Sequence, residues 1–286
     1  MIKEFALDPE AITSSYREFC YFTEKFGVSQ GRVISAFPRK WRKMVCESAL
    51  REHQGKVEFS RIVERLNKLG GDIVFDTGRP SGDGSQAWID RALAEHARRP
   101  FAAIISATAV DHPDVLQKDE IDEENPRFRS ARQRAVPRTA KALVGCAGFL
   151  IRHARIIKIV DPHFDLAKPR YLRPLEQIAS LLQGNQATVE IHRSDEIAED
   201  ELIRRFRQYA PLLPAGVKMQ LHLYEKTQMH NRFILTERGG LIYGVGLCDN
   251  EDGGGAPDEE VILMETEIRD ARWNHYSKAL PVAFWP

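Results

Sequence analysis

The sequence has no surplus of charge of either sign: among 286 residues, 41 Lys and Arg balance 41 Asp and Glu. A polyanion therefore meets no strong overall field, and any binding of nucleic acid has to come from local patches. Cysteine is scarce. Cys20, Cys46, Cys146 and Cys248 are scattered, with no CxxC and no clustered Cys/His spacing, which argues against a zinc site and fits a reducing compartment. No apolar run reaches the ~18 residues that would suggest a membrane span, and the opening MIKEFALDPEAITSSYREF is too charged for a secretory leader. The expectation is a cytoplasmic protein that does not enter a membrane. What is present is 43% hydrophobic and 29% charged residues, the balance of a globular chain with one or two domains.

Residues 1 to 70 read as helical. DPEAITSSYREFCYFTEKFG, FPRKWRKMVCESALREHQG and VEFSRIVERLNKLGG carry apolar residues at helical spacing and stop at Gly27, Gly55 and Gly70-Gly71. DIVFD then reads as a short strand, AWIDRALAEHARRP as a helix and FAAIISATAV as a buried strand. From Asp111 to Arg138 the pattern weakens. An acidic, turn-rich stretch gives way to a run with six basic residues from Arg127 to Lys141. This marks a boundary near residues 111–135, or else a loop within one compact unit. From residue 136 to 286 strands alternate with helices. The expected architecture is α/β, a mixed sheet with helices on both faces, preceded by the helical region.

The most informative stretch is MHNRFILTERGGLIYGVGLCDN, from Met229 to Asn250. It reads as strand, Gly-Gly turn, strand. Alternation on a strand puts His230 and Arg232 on one face, an imidazole beside a permanent cation. That pair suits attack on a phosphate ester, the imidazole bonding to phosphorus and the guanidinium holding the non-bridging oxygens. The bland reading is a solvent-facing strand edge. Against it, Phe233, Ile234 and Leu235 make the strand apolar, and a buried His-Arg pair needs a reason. Asp161, His163 and Asp165 follow a strand, where ligands of α/β sheets collect, although Pro162 could simply shape a turn. His163 is the leading substrate-lining candidate there. Lys226, just ahead of the motif, could meet phosphate or merely solvate the surface. His192 and Arg193 read as core-edge polarity. DTGRPSGDG lacks the Gly-Lys-Ser/Thr ending of a nucleotide loop and reads as a strand-to-helix connection. The basic run, and Arg39, Lys40, Arg42 and Lys43 around Trp41, are candidate tracks for a nucleic-acid backbone or solvated helix faces.

The half from about residue 140 to 286 resembles one repeat of the phospholipase D superfamily. Its H-x-K-x4-D signature stands here as H-x-R-x4-E in His230, Arg232 and Glu237, and VDPHFD resembles the VDPYF-type strand that opens such repeats. The sequence departs from the pattern after the turn. Gly244, Val245, Gly246 and Leu247 replace the usual small polar residues, and Asp249 and Asn250 are the candidates to supply the missing contacts. The resemblance implies a nucleophilic His230, a phosphate-clamping Arg232 and a Glu237 that orients the motif strand. It also implies an acidic residue past the turn to support the histidine, with Glu260 slightly ahead of Glu259. A phosphohistidine forms and a second, symmetry-related histidine protonates the leaving oxygen, with no metal or cofactor.

Only one copy of the motif is clear. The second histidine then comes from a homodimer, or residues 71–135 are a worn half-repeat and linker; dimerisation is the preferred expectation. The activity implied is a metal-independent phosphodiesterase, in the first place a nuclease for DNA or RNA. By analogy it would belong to a bacterial defence system with a partner subunit. Phospholipid hydrolysis is disfavoured, since nothing here makes a membrane-binding surface. The alternative is a non-catalytic interaction or nucleic-acid-binding module on the same fold.

Overall fold

A computed structural model describes residues 1–253 and 255–286. The chain divides into two compact units, Ile2–Ala131 and Arg132–Pro286.

The first unit is built on a parallel sheet. In chain order it comprises β1 (Lys3–Leu7), α1 (Tyr16–Lys25), β2 (Arg32–Ser35), α2 (Trp41–His53), α3 (Val57–Lys68), β3 (Val74–Phe75), α4 (Trp88–Arg98), β4 (Ala103–Ser106) and β5 (Val115–Gln117). The strands lie in the order β3-β2-β1-β4-β5, every pair parallel. The three expected helices of the first seventy residues are present, but β1 precedes them and β2 runs between the first and second. All four residues of β2 and of β4 are buried. A strand covered on both faces shows no alternation, so RVIS carries no period to read. The core gathers Phe5, Phe19, Phe22, Phe26 and Trp41 between sheet and helices. Trp41 is fully buried and its indole N–H donates to the Leu7 carbonyl at 2.6 Å, so it is a core residue and no platform for a base.

DTGRPSGDG is the connection from β3 to α4, as its composition suggests. Its Arg79 is an internal strut. The guanidinium reaches Glu4 on β1 at 2.8 Å and Glu95 on α4 at 3.0 Å, and lies 3.7 Å from the centre of the Phe101 ring. A buried and a partly buried carboxylate thereby share one fixed cation, which offsets the cost of their burial.

The second unit comprises β6 (Gln133–Pro137), α5 (Ala140–Arg152), β7 (Ile156–Val160), α6 (Pro169–Leu181), β8 (Ala187–Ser194), α7 (Glu199–Tyr209), β9 (Val217–Tyr224), β10 (Arg232–Thr236), β11 (Gly239–Tyr243), β12 (Asp258–Leu263), α8 (Thr266–Tyr276) and β13 (Ala283–Trp285). The sheet runs β13-β9-β8-β7-β10-β11-β12-β6. β7, β8 and β9 are mutually parallel through the α6 and α7 crossovers, and the remaining pairs are antiparallel. Helices cover both faces. The Tyr243 hydroxyl donates to the Leu143 carbonyl of α5 at 3.0 Å. On the other face Tyr276 and Trp273 of α8 pack with Phe233, Leu235 and Val160. This is the α/β mixed sheet expected from the sequence. The first unit is paired differently: β7 has one parallel neighbour, β8, and one antiparallel, β10, whereas both neighbours of β1 are parallel.

The turn between β10 and β11 is tighter than the Gly-Gly reading. Thr236 pairs with Gly239, leaving Glu237 and Arg238 as the loop, and the two glycines begin β11. Gly240 is needed for packing, since a Cβ there would sit 2.8 Å from Leu235 Cδ2 and from Met264 Sδ.

Candidate active site

β7, β8 and β9 point their carboxyl ends at one edge of the sheet, and β10, running the other way, begins at that edge. The Phe233–Val160 pairing, continued one step outward, sets Arg232 beside Asp161. The Arg232 Nε lies 4.0 Å from the Asp161 carboxylate. Asp161 is buried; burial pushes its carboxyl upward, and the His163 N–H and the Arg232 charge pull it back. Its Oδ1 accepts the His163 N–H at 2.9 Å, while Oδ2, among the described residues, has no hydrogen-bond partner. Asp161 therefore counterbalances Arg232 and shapes the turn into His163.

Arg232 is loosely held. Its Nη1 contacts the His230 and Gly244 carbonyls at 3.5 and 3.4 Å, and its buried Nε, beyond the 4.0 Å ion pair with Asp161, has no hydrogen-bond partner among the described residues. Contacts of that length are weak, so most of the five N–H donors of a guanidinium remain for an anion. The opposing wall is the Gly244–Leu247 loop. Gly246 has φ +109°, and a Cβ there would lie 2.4 Å from Asp161 Oδ2 and 2.8 Å from Arg232 Cδ. Only glycine fits, in conformation and in space.

His230 differs from the expectation. The ladder starts at Arg232, so His230 and Asn231 precede the strand and are exposed. Among the described residues the His230 ring has neither a hydrogen-bond nor an ion-pair partner. The alternation argument thus places Arg232 and leaves His230 to the loop. Glu259 and Glu260 do not hold that ring either. Glu259 is buried, and both its oxygens accept the Val245 N–H at 3.0 Å, pinning the glycine loop. Glu260 is exposed and reached by Gln133 at 3.4 Å. The slight preference for Glu260 is corrected by the register, which turns Glu259 inward and Glu260 outward.

Glu237 sits at the far end of β10. Its oxygens accept the N–H groups of Arg155 and Ile156 at 2.7 and 3.3 Å, tying the motif hairpin to the start of β7. Asp249 and Asn250, expected to meet substrate, are spent on the chain itself. Asp249 accepts the Ala140 N–H at the start of α5 at 2.6 Å and Arg173 at 2.8 Å. Burial raises its carboxyl, but Arg173 and two backbone N–H groups outweigh this and hold it below the usual range. Asn250 donates to the Ala256 carbonyl at 3.3 Å.

One carboxylate at this edge escaped sequence reading. Glu196, just past β8, meets His163 Nδ1 at 3.2 Å, Lys226 Nζ at 2.6 Å and Ser194 Oγ at 3.2 Å. It joins the ends of β7, β8 and β9. His163 is half exposed and, unlike His230, has a carboxylate to fix its tautomer. In the sequence Glu196 is one acid of RSDEIAEDE, with nothing to single it out. Asp165 is committed to Arg205 of α7 at 2.8 Å.

Of the basic run, Arg127 pairs with Asp114, Arg132 with Glu265, and Arg138 is buried on Cys248. Three of its six cations are thereby removed from any backbone-tracking face.

Behind the site, on the α8 face, Lys158, Glu190, His192 and His222 form a buried cluster. Lys158 and His192 both bond Glu190, and the two imidazoles stack at 4.4 Å with 13° between planes. Glu190, His192 and His222 bring potential ligand atoms within 4.8 Å of one another. Parallel stacked rings aim their lone pairs side by side, however, and the Lys158 ammonium already fills the cation position on Glu190. The arrangement fits a structural polar network better than a metal centre.

No family model and no curated protein matches the sequence. Among solved structures, the chain shows a likeness to Nuc from Salmonella typhimurium, described as a phospholipase D family member, with TM-score 0.35, 11% identity, and 52% of this chain and 96% of that chain covered. A likeness to TrmBL2, an archaeal chromatin protein with a DNA-binding mode, has TM-score 0.32 and 14% identity over 57% of each chain. One to polyphosphate kinase from Porphyromonas gingivalis has TM-score 0.36 and 13% identity, covering 84% of this chain and 36% of that one.

Proposed function

We propose that the second unit cleaves phosphodiesters of DNA or RNA at the edge formed by the ends of β7–β9 and the start of β10. The observation that carries this reading is the Arg232 guanidinium, under-bonded and set beside the glycine loop, with the unpartnered His230 imidazole two residues away. A phosphate drawn to Arg232 meets a ring nitrogen with no competing partner. The imidazole attacks phosphorus, the bond to the leaving oxygen breaks, and that oxygen takes a proton from a second imidazolium. Water then attacks the phosphohistidine, gives its proton back to the second imidazole, and releases His230. The guanidinium balances the charge that builds on the non-bridging oxygens. No step calls for a metal.

Two imidazoles can serve as the acid: His230 of a second copy across a two-fold axis, or His163, which Glu196 holds. They are separable. If the twin supplies it, activity falls on dilution below the dimer constant, and mixing His230→Ala with Arg232→Ala protein restores none of it beyond what shared sites allow. If His163 supplies it, His163→Ala abolishes turnover at every concentration.

The test is cleavage of labelled single- and double-stranded DNA and RNA in EDTA. His230→Ala is expected to lose about a thousandfold in rate, and acid-quenched wild-type protein to carry an acid-labile phosphate that the variant lacks. Retention of full activity by His230→Ala would sink the reading. A second reading, a non-catalytic nucleic-acid-binding module, is favoured by the absence, among the described residues, of a carboxylate on His230 and by the commitment of Asp249 and Asn250 to the chain itself. Salt-sensitive binding without cleavage, weakened in Arg232→Ala, would select it.

A further inference from the structure

We infer that the first unit holds a nucleoside-phosphate site at the carboxyl edge of its parallel sheet, independent of the site around Arg232. In the strand order β3-β2-β1-β4-β5 the chain leaves β1 to one side and later returns on the other. The loops after β1 and β4 therefore diverge and leave a crevice, the place where open parallel sheets take ligands. A cavity of about 340 Å³ lies there, lined by Asp8 after β1, Ser106 and Thr108 at the end of β4, Trp88 at the start of α4, and Glu47 and Arg51 of α2. A second cavity of about 410 Å³ shares Met44 and Glu47 with it and adds Lys40, Lys43, Arg91 and the Gly82–Gly84 stretch. Each is of the size of a small-molecule site, ~300–1,000 Å³.

The two cavities are oppositely charged. Around the first, Asp8, Glu10 and Glu47 outnumber Arg51; around the second, Lys40, Lys43 and Arg91 outnumber Glu47. Asp8 spans the diverging loops, accepting the Glu10 N–H at 3.0 Å and the Ala107 N–H at 3.2 Å, with lone pairs left for ligand hydroxyls. Trp88 lines the first cavity and Arg91 the second. Trp88 Nε1 and Arg91 Nε are shielded from solvent and have no hydrogen-bond partner among the described residues; buried donors are rarely left so, and a rotation of either side chain towards an acceptor-rich ligand would satisfy it. The aliphatic stem of Arg91 packs against Gly82, where a Cβ would be 3.3 Å from its Cγ and Cδ. The start of α4 has no side-chain cap, so its first N–H groups add to the attraction for phosphate.

Each end excludes half of the alternatives. Inorganic polyphosphate would satisfy Lys40, Lys43 and Arg91 but be repelled by the acidic end. A nucleoside would offer hydroxyls to Asp8 and a flat base to the partly exposed Trp88, yet leave Lys40 and Arg91 without an anion; Lys43 already meets Glu47 at 3.5 Å. A nucleoside mono- or diphosphate answers both.

The test is calorimetric titration of the full-length protein with ADP, GDP, CDP and UDP, with adenosine and pyrophosphate as controls, alongside tryptophan fluorescence. Saturable binding of at least one nucleotide is expected, about tenfold or more tighter than either control. Lys40→Ala with Lys43→Ala should weaken it by about tenfold; Lys43 is 68% exposed at its side chain, so its loss does not threaten the fold. Trp88→Phe should abolish the fluorescence change. Arg232→Ala should bind as wild type. Failure of all four nucleotides to bind, pyrophosphate binding as tightly as the best nucleotide, or loss of binding in Arg232→Ala with the lysine variant unaffected would each overturn the inference.

Discussion

At the scale of single residues, the proposed chemistry depends on a guanidinium that is placed but not consumed. Arg232→Lys keeps the charge and loses the fork. Cleavage should fall by about tenfold to a hundredfold with little change in stability, read as initial rates beside a urea melt. Gly246→Ala should behave in the opposite way. It forces φ +109° on an alanine and drives a Cβ to 2.4 Å from Asp161 Oδ2, so the protein should lose roughly 1–3 kcal/mol in denaturant titration. The Glu259–Glu260 choice shows where residue-level reading stops. Adjacent strand residues face opposite ways, and nothing in EEVILME says which faces in. Pairing of Glu259 with Val136 and of Glu260 with Ala135 decides it. Glu259→Ala should free the glycine loop, whereas Glu260→Ala should not, a contrast visible in hydrogen exchange at Val245.

At the scale of elements, the cluster linking β7, β8, β9 and α8 makes a pH prediction. Burial pushes His192 down to about 4 from 6.5, against the opposing bond to Glu190, and His222 is lowered as well, chiefly by burial. For Glu190 burial would raise the carboxyl, but the bonds from His192 and Lys158 outweigh it and hold it at about 2. Below pH 6.5 the unfolded chain takes up a proton on His192 that the folded chain refuses until about pH 4, and the lowered His222 acts in the same direction. Stability should therefore be complete above neutral pH and fall by a few kcal/mol as the pH drops through that window. Glu190 adds a further loss in the same direction between pH 4.5 and about 2. Urea unfolding at a series of pH values reads this directly, and a flat profile between neutrality and pH 4.5 would contradict it. Glu190→Gln should cost roughly 3–5 kcal/mol by stranding the Lys158 ammonium, and adding Lys158→Met should recover most of that. The second unit's β-α-β rhythm was legible because its crossover helices are amphipathic and its strands long. β1 and β2 were not, because short strands buried on both faces and set among helices lack a period.

At the scale of the whole molecule, the sequence shows one H-x-R-x4-E copy, and the proposed mechanism needs two imidazoles. Solution mass settles where the second comes from. A strict monomer by sedimentation equilibrium, still active in EDTA, points to His163; a dimer whose activity declines with dilution points to the twin. No helix among the described residues is long and apolar enough to cross a membrane.

By itself the sequence determined what local physics can carry: the alternation of strand and helix from residue 136 onward, and the H-x-R hairpin with its glycines. It also determined that DTGRPSGDG joins a strand to a helix. Only the tertiary structure decided which groups meet. It moved His230 off the strand into solvent, turned Glu259 onto the glycine loop, spent Asp249 on α5 and gathered His163 and Lys226 on Glu196. It also opened a bipolar crevice at the switch point of a parallel sheet. The physical reason is common to all of these. Strand register and the divergence of loops are set by pairing between segments distant along the chain, and a one-residue step in register exchanges the face that each side chain presents.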